Sequence, residues 1–257
     1  MIRLRTDLYM IACAARTGST MLVRLLRSHP RLISHGEVWG GDAMVGMDGH
    51  LAESCAQQPG FQQALEQQRF EHPERVLYKH FFDARGAQAC GFKLKFDELV
   101  QPRWREVRRL VETDTDIGIV FLHRDDLLQR YLSHQVVLRQ TGVTNVPSGG
   151  VLPLIEPFEV DIDDCIADIA ETRRRRSEFE AVFASHRCLH LHYEALAANP
   201  QGECDRVFDF LGLPSAPVRM ATEKLVREPP QRLVLNYGEL VAALRDAGLD
   251  AVGQLAR

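Results

Sequence analysis

Apolar residues along this chain form short runs that alternate with longer segments of helical spacing. Residues 10–14 make an apolar run of strand length, and residues 21–26 then carry apolar side chains at helical spacing until Pro30 stops the helix. Residues 117–123 form a second run that leads directly into a helix, and residues 188–192 form a third. Strands that alternate with helices in this way predict an α/β fold with a mostly parallel sheet flanked by helices.

The segment at residues 91–96 alternates strictly between apolar and basic side chains. Its three apolar residues share one face, and Lys93 and Lys95 share the other, which predicts a half-buried strand with a solvated lysine face. Further helices are predicted over residues 61–71, 162–185, 204–211 and 233–245.

Two stretches rich in glycine interrupt this pattern, at residues 36–60 and 141–160. Neither has a clear period, so we predict that both are substrate loops of irregular structure. The length of 257 residues and the lack of internal repeats favour one domain over residues 1–257.

The loop between the first strand and the first helix has the composition of an anion site. It reads AARTGST, with the charge of Arg16, the hydroxyls of Ser19 and Thr20, and Gly18, which allows close approach of the backbone. A helix N-terminus adds unpaired N–H groups and a positive dipole end, which favour a phosphate or sulfate. An ordinary capped turn is the other interpretation. The lysine of the Walker pattern GxxxxGK[ST] is missing.

A second basic turn follows the strand at residues 117–123. Arg124 ends this strand and Ser133 lies on the next helix. Because ligands bind at the carboxyl ends of parallel strands, this turn and the first loop could converge on one ligand. The alternative is a surface ion pair of Arg124 with Asp125 or Asp126 and no binding role for Ser133.

The motifs RTGST and HRDDLLQRYLSH together resemble the two nucleotide-binding motifs of sulfotransferases that use 3′-phosphoadenosine 5′-phosphosulfate (PAPS). The bacterial carbohydrate branch, which acts on trehalose and nodulation factors, is the most similar, and GFKL, LHYEAL and FDFLGLP extend the resemblance over most of the chain. It implies a sulfotransferase fold like that of P-loop NTPases, with PAPS as cosubstrate. Two features depart from the family pattern: a longer interval between Arg124 and Ser133, and the acidic pair Asp125 and Asp126.

The resemblance also implies roles for individual residues. The 5′-phosphosulfate would lie against the first loop, at Arg16, Thr17, Gly18, Ser19 and Thr20. The 3′-phosphate would lie against Arg124 and Ser133, and a late basic segment would add Arg227. Tyr193 is a candidate to pack on adenine, although a core position is the favoured interpretation for an aromatic residue at a strand end.

The glutamate of the HGE sequence that follows the first helix would be the catalytic base. This assigns Glu37 as the base, with His35 as the rival. Arg16 would face the leaving phosphate, and Lys93 or Lys95 would stabilise the transferring group if their strand face points into the cleft. The expected reaction needs no metal, and its acceptor is a hydroxyl of a carbohydrate, a glycolipid or another small molecule. A nucleotide-dependent kinase and an inactive nucleotide-binding module are the alternatives.

Composition limits the partners and the compartment. A formal net charge of −4 and a pI near 6.2 argue against a protein that coats nucleic acid. The six cysteines form no CxxC pairs, so we expect neither a zinc site nor a disulfide framework, and reduced thiols fit the cytoplasm. We expect no signal peptide or transmembrane segment. The sequence leaves a homo-oligomer open.

Overall fold

The computed structural model describes residues 7–220 and 222–249. Its strands are β1 (Asp7–Cys13), β2 (Leu32–Glu37), β3 (Ala89–Lys95), β4 (Gly118–His123), β5 (Val146–Pro147), β6 (Cys188–His192) and β7 (Thr222–Glu223). Within the described residues, a central parallel sheet has the order β2-β3-β1-β4-β6, and β5 pairs with β7 in a separate antiparallel ribbon. The predicted mostly parallel sheet is therefore confirmed.

Helices cover both faces of this sheet. They are α1 (Ser19–Leu26), α2 (Gly49–Gln57), α3 (Phe61–Glu71), α4 (Pro73–Val76), α5 (Phe96–Leu99), α6 (Arg105–Thr113), α7 (Leu127–Val136), α8 (Ile162–Val182), α9 (Tyr193–Ala198), α10 (Pro200–Phe210), α11 (Pro230–Leu233) and α12 (Tyr237–Asp246). Leu77–Phe81 and Val137–Thr141 form π-helical turns, and Pro102–Trp104 forms a 3₁₀ turn. No helix in the described ranges is both long and apolar enough to cross a bilayer.

Strand β1 is buried on both faces because it lies in the middle of the sheet. Met10 and Ala12 pack into the core on one side, and Tyr9, Ile11 and Cys13 pack into the core on the other. A strand covered on both sides reads as a continuous apolar run, which is the pattern at the start of the chain. The carboxyl ends of β1, β2, β3 and β4 consequently meet at one edge of the sheet.

The lysine face of β3 is not solvated, which corrects the prediction of a half-buried strand. β3 pairs with β1 and β2 and is an interior strand, and Lys93 is only 3% exposed. Phe96 does not continue the strand but begins α5. Alternation with lysine is typical of a half-buried strand, but here both lysines of the basic face contact the carboxylate of Glu37, as described below.

The two predicted loops differ from each other. Within residues 36–60, α2 occupies Gly49–Gln57, so only the first part of this stretch is irregular. Residues 141–160 begin at the end of a π-helical turn and contain the short β5 and one isolated bridge at Phe158, and the rest of this stretch is irregular. The predicted helix over 61–71 is α3, while the one over 162–185 ends three residues early at Val182.

Candidate active site

The loop between β1 and α1 is held in a fixed shape by its own contacts and by Arg130 and Arg124, which donate to its carbonyls. Gly18 adopts a left-handed φ of 82° and precedes α1, and no side chain caps the N-terminus of this helix. The Thr17 hydroxyl donates to the Ala14 carbonyl at 2.9 Å, and Arg130 donates to the Ala15 carbonyl at 3.3 Å. The first N–H groups of α1 are thereby available to an anion in the cleft.

Gly18 is required by a close approach of Tyr193. A Cβ at position 18 would lie 2.4 Å from Cδ2 of the Tyr193 ring. Tyr193 is partly exposed at the start of α9, and its ring also lies 4.6 Å below the Arg124 guanidinium. The favoured interpretation of Tyr193 as a core residue was wrong, because its ring is a wall of the cleft.

The second basic turn meets the first loop. The Arg124 guanidinium donates to the Arg16 carbonyl at 3.1 Å, and Arg16 Nε donates to the Ser133 hydroxyl at 3.2 Å. Arg16 Nη1 also donates to the Thr144 carbonyl at 2.8 Å, which ties the loop at 141–160 to the same place. The structure thus brings Arg16, Arg124 and Ser133 together, as the sequence predicted for convergence on one ligand.

The two aspartates beside Arg124 are occupied elsewhere. Asp126 caps α7 by accepting from the Gln129 N–H at 2.8 Å, and Asp125 contacts His192 Nδ1 at 2.8 Å. In the described chain, neither forms an ion pair with Arg124 within 4 Å, so the alternative of a surface pair is corrected. Arg124 is 8% exposed, and its buried Nε has no hydrogen-bond partner among the described residues. An unsatisfied buried donor beside a cleft fits an anionic ligand.

Glu37 lies at the carboxyl end of β2 between two lysines of β3. Lys93 Nζ donates to Glu37 Oε1 at 2.7 Å, and Lys95 Nζ donates to Oε2 at 3.0 Å. Lys93 Nζ also donates to the Thr20 hydroxyl at 3.1 Å, so it links Glu37 to the first loop. Lys95 has a second carboxylate partner, Glu98 Oε1, at 3.0 Å.

These contacts set the charge state of the glutamate. Burial raises the pKa of Glu37, but the charges and hydrogen bonds of Lys93 and Lys95 outweigh it and lower the pKa to about 2. Glu37 is 33% exposed at its side chain, so it is both ionised and open to the cleft. A carboxylate with this low pKa becomes a stronger base only when a lysine moves away from it.

Arg69 fixes the backbone that follows Glu37. This fully buried guanidinium donates to the carbonyls of Val38 at 2.7 Å, Gly40 at 3.2 Å, Gly41 at 3.1 Å and Asp42 at 2.6 Å. These four donated hydrogen bonds compensate the buried charge of the guanidinium and hold the loop in one conformation. The sequence gives no sign of this role, because Arg69 lies on α3, distant along the chain.

His35, the rival base, lies away from the cleft. It is fully buried, and its Nδ1 accepts from the Asp48 N–H at 3.0 Å. Burial, with the charges of Arg27 and His50, lowers its pKa to about 3. The pairing of β2 with β3 shifts register between His35 and Glu37, so the two side chains do not share a surface. This corrects the assignment of His35 to the site.

The cleft at this edge of the sheet has a volume of about 580 Å³. Of the predicted residues, Arg16, Gly18, Ser19, Thr20, Glu37, Lys93, Lys95, Arg124, Ser133 and Tyr193 line it. Thr17, 2% exposed, supports the loop from behind, and Arg227 is paired at the surface with Glu223 at 2.7 Å. The late basic residue that lines the cleft is Lys224, whose pKa is lowered by burial and by Arg124. The sequence also missed His134, which follows Ser133 and lines the cleft.

A parallel α/β sheet whose two basic turns meet at one edge, beside a carboxylate held by two lysines, defines a cleft whose charge suits an anionic ligand. The profile of the Sulfotransferase family matches residues 9–217, which is well over half of the chain. The chain therefore belongs to the sulfotransferase family, and the protein is an enzyme of that family.

Solved structures share the fold at low sequence identity. A sulfotransferase from Alicyclobacillus acidocaldarius is 17% identical, with a TM-score of 0.50 over 94% of this chain and 95% of that one. The sulfotransferase domain from the curacin biosynthetic pathway is 14% identical, with a TM-score of 0.53 over 83% of this chain and 76% of that one. No curated protein sequence matches this chain.

Proposed function

We propose that this sulfotransferase moves a sulfuryl group from PAPS to a hydroxyl of a carbohydrate, a glycolipid or another small molecule. The single observation that carries the proposal is the convergence of Arg16, Arg124 and Glu37 on one cleft. The acceptor class is supported by the HGE sequence at Glu37, which resembles that of the bacterial carbohydrate branch.

The positive groups of the cleft are placed to match the negative groups of the donor. Its 5′-phosphosulfate would lie at the N-terminus of α1, beside Arg16 and Thr20, where backbone N–H groups favour an anion. Its 3′-phosphate would take the unsatisfied Nε of Arg124, and Lys224 adds a second positive charge on that side. Tyr193 offers an aromatic face to the adenine.

The reaction needs one proton removed and one negative charge accommodated. The acceptor oxygen forms a bond to sulfur, the bond from sulfur to the 5′-phosphate oxygen breaks, and the hydroxyl proton passes to Glu37. The electron pair of the broken bond leaves with adenosine 3′,5′-bisphosphate. Lys93 lies between Glu37 and Thr20, so it is placed to stabilise this leaving charge.

Lys93 also connects donor binding to the strength of the base. A doubly charged donor at the first loop attracts the Lys93 ammonium away from Glu37 Oε1, and loss of that partner raises the pKa of Glu37. The glutamate then accepts a proton more readily when the donor is bound. This order of events keeps Glu37 a weak base until the donor is bound.

The other parts of the interpretation remain predictions from the sequence. They are one domain over residues 1–257, a cytoplasmic location and a reaction without metal, while the oligomeric state stays open. All six cysteines are free in the structure, which is compatible with a reducing compartment.

The donor is tested first by ligand-dependent stability. We expect adenosine 3′,5′-bisphosphate at about 100 times its dissociation constant to raise the free energy of unfolding by about 2.7 kcal/mol, measured by thermal denaturation. ATP with Mg²⁺ at the same concentration is the control, and we expect a much smaller shift. Stabilisation by ATP with Mg²⁺ alone would favour a kinase, and stabilisation by neither would leave the cleft without its proposed ligand.

The contact between Gly18 and Tyr193 gives a second prediction. Gly18→Ala adds a Cβ that overlaps the Tyr193 ring at a left-handed φ, so we expect binding of adenosine 3′,5′-bisphosphate to weaken by about tenfold or more in calorimetry. Gly60→Ala is the matched control. Gly60 also precedes a helix with φ 80°, but its Cβ would meet no atom within 4 Å. Equal affinities of the two variants would mean that Tyr193 is not a wall of the donor site.

A further inference from the structure

Histidines gather at the carboxyl ends of β4 and β6, outside the catalytic cleft. His123 ends β4 and is the register partner of His192, while His190 lies two residues earlier on β6. Glu180 reaches this place from α8, which covers the same face of the sheet. None of His123, His190 and Glu180 lines the cleft described above.

Three donor atoms of this cluster form a small triangle. His123 Nε2 lies 3.1 Å from His190 Nδ1 and 3.3 Å from Glu180 Oε1, and His190 Nδ1 lies 3.8 Å from the same oxygen. A tetrahedral Zn²⁺ with bonds of about 2.0–2.1 Å separates its ligand atoms by about 3.3–3.4 Å. The triangle therefore has the size of one face of such a coordination sphere.

The surroundings of the triangle suit a cation that enters from solvent. His123 is 3% exposed, while the side chains of Glu180 and His190 are 32% and 45% exposed. The site is therefore buried on the side of His123 and open to solvent on the other side. Asp125 adds a second carboxylate nearby, at 2.8 Å from His192 Nδ1. Arg176 is the competing cation, since its Nε donates to Glu180 Oε1 at 3.1 Å and its Nη1 lies 3.8 Å from Asp125.

The side chains around the triangle leave a negative balance. Glu180 and Asp125 carry two negative charges and Arg176 carries one positive charge, so these three leave one net negative charge when the imidazoles are neutral. Arg206, which donates to the His190 carbonyl at 3.0 Å, is balanced by its own pair with Glu203. Asp125 offers Arg176 an alternative partner, so Glu180 can turn its oxygen to an ion without leaving the arginine unpaired.

We propose that His123, His190 and Glu180 form a site for a divalent transition metal, with Zn²⁺ as the best-fitting ion, at the outer edge of the sheet. Two imidazoles, from β4 and β6, and one carboxylate, from α8, supply the ligands, and water completes the sphere on the open side. The ion joins α8 to β4 and β6 directly behind Arg124. The expectation of no zinc site came from the spacing of cysteines and histidines along the chain, which carries no information on ligands that separate elements bring together.

The proposal is tested by titration of the full-length, untagged protein after removal of metals with EDTA and dialysis. We expect one equivalent of Zn²⁺ to bind in calorimetry and to raise the melting temperature, and one equivalent of Co²⁺ to give the visible absorption of a tetrahedral site. His190→Ala removes an exposed ligand and should weaken Zn²⁺ binding by roughly 100-fold or more, since even changes outside the ligand set cost about 10–100-fold. His72→Ala, at an exposed histidine before α4, is the matched control and should leave the affinity unchanged.

A second variant changes the affinity in the opposite direction. Arg176→Gln removes the competitor for Glu180, so Zn²⁺ should bind about fivefold more tightly. The melting temperature of each variant in EDTA confirms that it is folded before titration. The assignment is overturned if the wild type binds no stoichiometric Zn²⁺, if folded His190→Ala binds it as well as the wild type does, or if Arg176→Gln does not bind more tightly.

Discussion

Turnover of Glu37→Gln is expected to fall by roughly 100-fold or more, the range for loss of a general base, while donor binding is retained. The amide keeps the size of the carboxylate but cannot accept the acceptor's proton. Binding is retained because the variant removes a negative charge from beside Lys93, which then faces the donor alone. Initial rates of sulfuryl transfer, with the affinity for adenosine 3′,5′-bisphosphate measured in parallel, separate the two effects.

The control for this variant is Glu71→Gln, which removes an exposed carboxylate of α3 and should leave turnover unchanged.

Unfolding of the Glu37→Gln variant and the wild type at low pH gives an independent readout. The pKa of Glu37 is about 2 in the folded protein against 4.5 for an ordinary glutamate, so its stabilising contribution is present above about pH 4.5 and is lost as the pH falls toward 2. The difference in stability between wild type and variant should close over that range. Unchanged turnover of Glu37→Gln would remove the proposed base.

Arg124→Gln is expected to weaken binding of adenosine 3′,5′-bisphosphate by about 100-fold. The loss is large because the buried guanidinium would donate charge-assisted hydrogen bonds to the 3′-phosphate, each contributing about 1.5–3 kcal/mol. For adenosine 5′-phosphosulfate, which lacks the 3′-phosphate, we expect a loss of less than about threefold. Calorimetry of both ligands on both proteins gives the coupling between Arg124 and the 3′-phosphate.

Arg103→Gln is the matched control for this second variant, because Arg103 pairs with Asp42 at the surface and lies outside the cleft. It should bind both ligands as the wild type does. Equal losses for both ligands in Arg124→Gln would indicate that Arg124 acts through the Arg16 carbonyl on the first loop and does not contact the 3′-phosphate.

The fold and the first loop could be predicted because their signals are local. Residues 10–26 carry strand, loop and helix in one continuous stretch, and the proposed anion site is formed by neighbours along the chain. The meeting of Arg16 with Arg124 was also predictable, since parallel strands direct their carboxyl ends to one edge. The burial of Lys93 was not, because it depends on the interior place of β3 in the strand order.

Other residues of the site could not be ranked from the sequence. Glu37 and His35 are two residues apart, and only the register shift between β2 and β3 and the loop held by Arg69 decide which of them faces the cleft. Similarly, Lys224 and Arg227 are equivalent by composition, and the ribbon of β5 and β7 determines that Lys224 faces inward.

The sequence by itself determined the α/β class, the loop between β1 and α1 and the family, because each depends on the order and spacing of residues within single elements. The tertiary structure alone decided the lysine pair on Glu37, the wall formed by Tyr193 and the histidine cluster behind Arg124. The physical reason is that periodicity fixes the face of an element on which a side chain lies. Strand order and long-range packing then fix which groups meet that face, and these groups set its burial, its charge and its chemistry.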